Sequence, residues 1–312
     1  KRILSIVLVV MLFVMVGCGS EPQVKEQKLS KLTIGLMPDT DSIPFIIAAE
    51  YGYFAEEGLE IELIPFKSAM ERDAALQSGS LDGAVSDLLA VIFARSGGFS
   101  VYATSYTDGS YNLVAGENTD IASAADLHGK EIAISRNTII EYVTDEILAV
   151  NGVGEKDVSK VVIPQIPVRL EMLQSGNLAA AVLPEPMASV AEFSGSRYVT
   201  GSGELGINPG VIVFTDSAIK DKEQSIRAMY RAYDKAANYL NNTPRADYID
   251  LIMERSGFPG PARDALVLKP YHFAGLPAEK DVDEAVRWVK NKGLAGDYRY
   301  DELVSKLLTE GK

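Results

Sequence analysis

From Leu32 onward the chain alternates short apolar runs with longer amphipathic stretches, in the order LTIGLM, PFIIAAEYGYFAEEG, LEIELIPF, MERDAALQSG and LDGAVS. The runs have the length of strands. The stretches have the length and three-to-four-residue spacing of helices, with Gly52, Gly58 and Gly79 as punctuation. Strands alternating with helices predict βαβ units and a mainly parallel sheet. The same order returns further along as KEIAIS, NTIIEYVTDEILAVNG, KVVIPQI, VRLEMLQSG and LAAAVL. Leu76-Gln77-Ser78-Gly79-Ser80-Leu81 and Leu173-Gln174-Ser175-Gly176-Asn177-Leu178 agree at five of six positions, and Ala84-Val85 answers Ala181-Val182. Each block reads as a helix end, a glycine cap and a buried strand. The spacing therefore predicts two α/β lobes of matching topology rather than one continuous sheet.

Two segments, residues 100–116 and 208–218, are β-branched and aromatic enough to be extended, and they are the candidate crossover strands. After Asp216 the pattern is mostly helical, including KEQSIRAMYRAYDKAANYLNN with apolar residues on one face and KDVDEAVRWVKNKG near the end. The expected organisation is lobe one over residues 32–108 and 213–312, with lobe two inserted as residues 109–212. Trp288 is expected in the core.

Ahead of the folded part, Lys1-Arg2 precede an apolar run from Ile3 to Val16 broken only by Ser5. This run is shorter than the roughly 20 residues that span a bilayer, so residues 1–17 are expected to be a signal peptide. The one cysteine, Cys18, follows directly, between Gly17 and Gly19. The arrangement resembles a bacterial lipobox with Met15 where Leu is usual, which implies lipidation of Cys18. Residues 18–31 are polar and aperiodic and are expected to form a tether. The protein would then be extracytoplasmic and anchored to a membrane by lipid.

Composition narrows the function. Hydrophobic residues make up 47% of 312, enough for a large core. Lys and Arg number 30 against 43 Asp and Glu, a formal charge of -13, which excludes nucleic acid as a partner because a phosphate backbone needs surplus cations. One Cys and two His are too few for a zinc, iron-sulfur or blue-copper centre, so no metal or cofactor is expected. His128 in DLHGKEI and His272 in KPYHFAG lack a Ser or Cys partner in a recognisable motif, and no catalysis is expected.

In parallel α/β sheets, ligands collect at the carboxyl ends of strands, beside helix N-termini. That rule selects Asp39, Thr40 and Ser42 after the first strand, Ser68 after the second, and Ser86 and Asp87 after the third. It selects Arg136, Asn137, Thr138 and Glu185 in lobe two, and Thr107 in the first crossover. Short oxygen-bearing side chains also cap helices, so the Asp39–Ser42 group, Ser68 and Asp87 each have a structural as well as a binding role open to them. Arg136 either meets an anion beside a helix start or pairs with Asp145 or Glu141. Asp39, Asp41, Asp87 and Glu185 outnumber the one Arg and one Lys of these loops, and the charge of the ligand stays open.

Several stretches resemble the solute-binding proteins of bacterial ABC importers, in the group serving nitrate, taurine, alkanesulfonates and thiamine precursors. They are MPDTDSIPFIIAAEYGYFAEEGLEIELIPF, LQSGSLDGAV, ADLHGKEIAIS and LPEPMASVA, and together the likeness runs from Leu32 to Leu294. Its most specific motif is Gly-Tyr-Phe-x-x-x-Gly-Leu at Gly52 to Leu59, which reports fold rather than ligand. The resemblance implies the type II periplasmic-binding-protein architecture, two α/β lobes joined by two hinge strands. It implies an acidic or polar residue facing the cleft at the place of Glu185. It also implies a monomeric receptor that closes on a small solute (sulfonate, taurine, nitrate or similar) and delivers it to a permease whose ATPase partner supplies the energy. A thiamine-precursor pyrimidine is the alternative solute. A eukaryotic branch makes the thiamine pyrimidine enzymatically, but its cysteine-rich motif is missing from this sequence.

Overall fold

Strand β1 (Leu32–Leu36) lies between β2 (Ile61–Pro65) and β3 (Gly83–Asp87) and is parallel to both. The computed structural model describes residues 29–309, so the expected signal peptide and Cys18 lie outside the described residues. β4 (Val101–Tyr106) ends the first pass through lobe one. The chain then lays down β5 (Tyr111–Ala115), β6 (Glu131–Ile134), β7 (Ser159–Val162), β8 (Ala180–Pro184) and β9 (Arg197–Gly201) before returning as β10 (Gly210–Thr215). Two five-stranded sheets result, ordered β2-β1-β3-β10-β4 and β7-β6-β8-β5-β9.

The two orders are equivalent. In each sheet the fourth strand is the first one formed after the chain crosses between lobes, and it runs antiparallel to its neighbours. Both sheets are therefore mixed, four strands running one way and the fourth in order against them, because a strand arriving from the other lobe enters from the opposite end. Residues 210–212, expected in lobe two, sit in the first sheet, so the return crossing is complete before Gly210.

The repeat seen in the sequence has a backbone cause. Helices Ala69–Gln77 and Ile166–Gln174 both end in Ser-Gly, and Gly79 and Gly176 adopt φ of 78° and 73°, a left-handed turn that a side chain would strain. Each turn feeds a buried strand, β3 or β8. Helix Glu223–Asn242 buries Ile226, Met229, Tyr230, Tyr233, Ala237 and Leu240, a stripe at helical spacing, and packs on helix Ile43–Glu50.

The C-terminal region also reaches lobe two. Helix Ala262–Ala265 packs on helix Met187–Phe193, and helix Glu279–Asn291 runs from the crossovers to helix Ile139–Val150. At its start, Asp281 accepts from the Asn208 N–H at 3.0 Å and Lys280 donates to the Gly206 carbonyl at 3.0 Å. At its end Trp288 is buried against Tyr142 and donates its indole N–H to Asp145 at 3.1 Å. Lys292 stands 2.7 Å from Asp145 and 2.9 Å from Glu155, and Lys160 closes the group through Asp145 and Glu141. Asp145 is 5% exposed at its side chain, so its ion pairs are little screened. A double-mutant cycle of Lys292→Met with Asp145→Asn is expected to give a coupling energy of about 1–2 kcal/mol by chemical denaturation. A value near zero would show that the clasp does not hold the lobes.

Candidate functional site at the interlobe cavity

The lobes meet across a cavity of about 30 Å³. Lobe one contributes Met37, Asp39, Arg72, Val85, Ser86 and Asp87, and lobe two contributes Tyr111, Ser135, Thr138, Ile166, Arg169 and Pro184 among others. Backbone hydrogen bonds close the gap on its flanks, from Thr40 N–H to the Glu185 carbonyl at 2.9 Å and from Ile166 N–H to the Lys67 carbonyl at 3.1 Å.

Two arginines enter this cavity from equivalent helices. Arg72 donates Nη1 to the Val85 carbonyl at 3.3 Å, and Arg169 donates Nε to the Val182 carbonyl at 3.0 Å. Both pairs span thirteen residues, and Arg169 stands 97 places after Arg72, the offset that separates Leu173 from Leu76. Their charge environments differ. Arg72 donates Nε to Asp73 at 2.8 Å and lies 3.6 Å from Asp87. The residues 97 places on are Leu170 and Pro184, so the repeat retains the guanidinium in lobe two and lacks both carboxylates.

Arg169 is 0% exposed, donates Nη1 to the Ile163 carbonyl at 2.8 Å, and its Nη2 has no hydrogen-bond partner among the described residues. Burial alone lowers its pKa, to about 9, because no neighbouring carboxylate opposes the loss of solvation. A buried charge held by two carbonyls and lacking a counter-ion costs stability unless an anion joins it. The cavity also receives the N-terminal turns of helices Ile139–Val150 and Ile166–Gln174, whose helix dipoles add positive potential.

The wall from lobe one is acidic. Asp39 accepts from the Ser42 hydroxyl at 3.2 Å, and burial pushes its carboxyl up to about 6 against the opposing pull of Ser42 and Arg72. Asp87 caps helix Leu88–Ser96 through the Ala90 N–H at 2.9 Å, and burial raises its pKa despite Arg72. Ser86 Oγ is buried without a partner among the described residues.

Of the residues selected from the sequence, the structure brings Asp39, Ser86, Asp87 and Thr138 to the cavity. Ser42 supports Asp39 and accepts from the Met37 N–H, and Ser68 caps helix Ala69–Gln77. Thr107 lies in the first crossover, where its carbonyl accepts from Asn208 Nδ2 at 2.7 Å. Thr40 and Glu185 face a separate groove of about 280 Å³, in which Glu185 accepts from Asn112 at 2.7 Å and from the Ser189 N–H at 3.1 Å. Arg136 and Asn137 line a third groove, between the lobes, with Met70 and Val162, and Arg136 is exposed there. Arg72 and Arg169 lie inside helices, away from the strand ends, and so fall outside the rule that places ligands there. The signal was present as Arg-x-x-x-Leu-Gln-Ser-Gly at Arg72–Gly79 and Arg169–Gly176.

The description of the NMT1/THI5-like family matches residues 39–247, more than half of the chain. The chain belongs to that family. It is 24% identical over 260 residues to a protein of Brachyspira hyodysenteriae named as an ABC transporter periplasmic binding protein, covering 78% of this chain and 75% of that one. It is 22% identical over 241 residues to a protein of Bacillus subtilis named for binding aliphatic sulfonates, covering 74% and 72% of the two chains. The alkanesulfonate-binding protein SsuA of Xanthomonas axonopodis, solved bound to MOPS, shares the fold at a TM-score of 0.76 with 17% identity, over 87% of this chain and 96% of that one. The two-lobed architecture is that of the periplasmic binding proteins.

The raised Asp39 pKa fixes a sign. Between the ordinary value of 3.8 and about 6 the folded protein holds a proton that the unfolded chain has released, so this group's contribution to stability declines as pH rises through that window. Asp39→Asn removes the decline. Melting of the solute-free protein should show the variant gaining on wild type from pH 4 to 6, with a constant difference above; parallel curves would mean that Asp39 titrates normally.

Proposed function

We propose that this protein is the extracytoplasmic solute receptor of an ABC importer, tethered through Cys18, working as a monomer and carrying out no chemical step of its own. The observation that supports it most is Arg169, a guanidinium without a counter-ion among the described residues, in a cavity whose walls come from both lobes. A solute oxyanion seated there replaces the missing counter-charge and touches both walls at once. Its contacts exist only when the lobes are together, so binding favours the closed form, which a permease can distinguish from the empty one. The names of the relatives, which speak of aliphatic sulfonates and alkanesulfonates, point the same way. A sulfonate, taurine or nitrate therefore fits this site better than a neutral pyrimidine, which leaves Arg169 unpaired.

Thermal melting against alkanesulfonates, taurine, nitrate, bicarbonate and thiamine-precursor pyrimidines tests the reading. One anionic compound should raise the midpoint, by the equivalent of about 2.7 kcal/mol at a hundredfold excess over Kd. Arg169→Met should weaken that compound by about 1.5–3 kcal/mol or more, the worth of a charged hydrogen bond. Arg136→Ala, in the third groove, should change affinity by no more than about threefold, as for a solvated charge. Silence across the panel, or a shift that survives Arg169→Met, would sink the assignment.

A further inference from the structure

One buried acid stands outside the cavity yet holds a residue inside it. Asp41, in the turn Thr40–Ser42 that follows β1, is 1% exposed and is not among the residues lining the cavity. Its Oδ2 accepts from the Tyr111 hydroxyl at 3.1 Å, and Tyr111, which opens β5 in lobe two, does line the cavity. A side chain of lobe one thus fixes a cavity residue of lobe two.

Both crossovers pass this carboxyl with a glycine. A Cβ added to Gly109 would stand 2.9 Å from Asp41 Oδ1 and closer still to Oδ2. One added to Gly210 would stand 3.2 Å from the Tyr111 hydroxyl and 3.4 Å from Asp41 Oδ2, and closer still to Thr107 Oγ1. Neither glycine has a positive φ, so close approach, and not backbone conformation, excludes a side chain at these two positions. At the same level the Thr107 N–H donates to the Gly210 carbonyl at 3.1 Å and ties one crossover to the other.

Burial holds the Asp41 carboxyl well above the ordinary carboxylate range, Asp39 and Asp108 push it the same way, and the hydroxyls of Thr107 and Tyr111 only partly oppose them. The group is therefore an uncharged acid. Its one proton has Thr107 Oγ1 beside it, a buried oxygen without a partner among the described residues. Shape and hydrogen bonding, rather than charge, are what Asp41 supplies. Resting on the receptor reading, we infer that Asp41 is a positioning residue for solute capture: wedged against both crossovers and bonded to Tyr111, it fixes the angle at which the lobes meet. A cavity of about 30 Å³ with walls from both lobes leaves little tolerance in that angle.

Titration calorimetry tests this with the compound that gives the largest melting shift, at neutral pH and at a temperature where circular dichroism shows each variant folded. Asp41→Asn keeps the shape, an oxygen for Tyr111 and an N–H for Thr107, and should bind within about threefold of wild type. Asp41→Ala leaves the Tyr111 hydroxyl unpaired and the crossovers unsupported, and should weaken the compound about 5- to 150-fold, the range for a buried group left without its partner. Gly109→Ala, which drives a methyl into the carboxyl, should weaken it about 5-fold or more, and should cost less when Asp41→Ala is already present. Small-angle X-ray scattering of the solute-free proteins should show Asp41→Asn superimposing on wild type, with Asp41→Ala and Gly109→Ala departing from it.

A folded Asp41→Ala with wild-type affinity and only a lowered melting midpoint would reduce Asp41 to a structural role and overturn the inference. So would Asp41→Asn weakening the compound as much as Asp41→Ala, which would make charge the active property. Should Asp41→Ala fail to fold, Gly109→Ala decides alone: affinity within about threefold of wild type and an unchanged scattering curve would overturn the inference. If wild type binds no compound of the panel, the receptor reading falls, and the scattering curves still decide whether Asp41 sets the angle between the lobes.

Discussion

A guanidinium buried without a counter-charge is the constraint on which the rest of this structure depends. Arg169 lies on helix Ile166–Gln174 and lines the gap, and the two carbonyls that hold it leave Nη2 without a partner among the described residues. Removing such a group from water costs several kcal/mol when nothing of opposite sign replaces the solvent. Closure of the lobes is what removes the water, so a solute that brings negative charge returns part of that cost only in the closed arrangement. The coupling between binding and closure follows from this differential interaction, and it needs no movement within either lobe.

The scaffold holds the two sides of the gap by different means. On one side helix Glu279–Asn291 carries Trp288 and Lys292 onto helix Ile139–Val150, where two lysines and three carboxylates interlock. On the cavity flanks the contacts are single hydrogen bonds, Thr40 to Glu185 and Ile166 to Lys67, with Gln165 reaching Glu71 at 3.3 Å. The two crossovers are tied to each other through Asn208 and Thr107.

Much of this fold was legible in the chain. The alternation of strand-length and helix-length segments and the doubled Leu-Gln-Ser-Gly block correspond to two sheets of equivalent order, since a glycine at positive φ and a buried strand leave strong local marks. The antiparallel fourth strands left none, because strand direction is set by how the chain enters a lobe and not by local pattern. The cavity was legible only in part. Asp39, Ser86, Asp87 and Thr138 were reachable from the rule that ligands gather at strand ends. Arg72 and Arg169 escaped it because a charged residue inside an amphipathic helix reads as surface, and only tertiary packing shows that Arg169 is turned inward and 0% exposed. Arg136, at a helix start, lies exposed in a groove that has walls from both lobes and shares Ser135, Thr138 and Pro164 with the cavity. Position by position, the two repeats set Arg72 with Asp73 and Asp87 against Arg169 with Leu170 and Pro184, a loss of both carboxylates that is written in the sequence.

The most direct test is a crystal structure of the protein grown with the compound that gives the largest rise in melting temperature. The account predicts an oxyanion within hydrogen-bonding distance of Arg169 Nη2, with residues of both lobes in contact with the same molecule. Density for the compound in the groove beside Glu185 or the one beside Arg136, with Arg169 untouched, would contradict it.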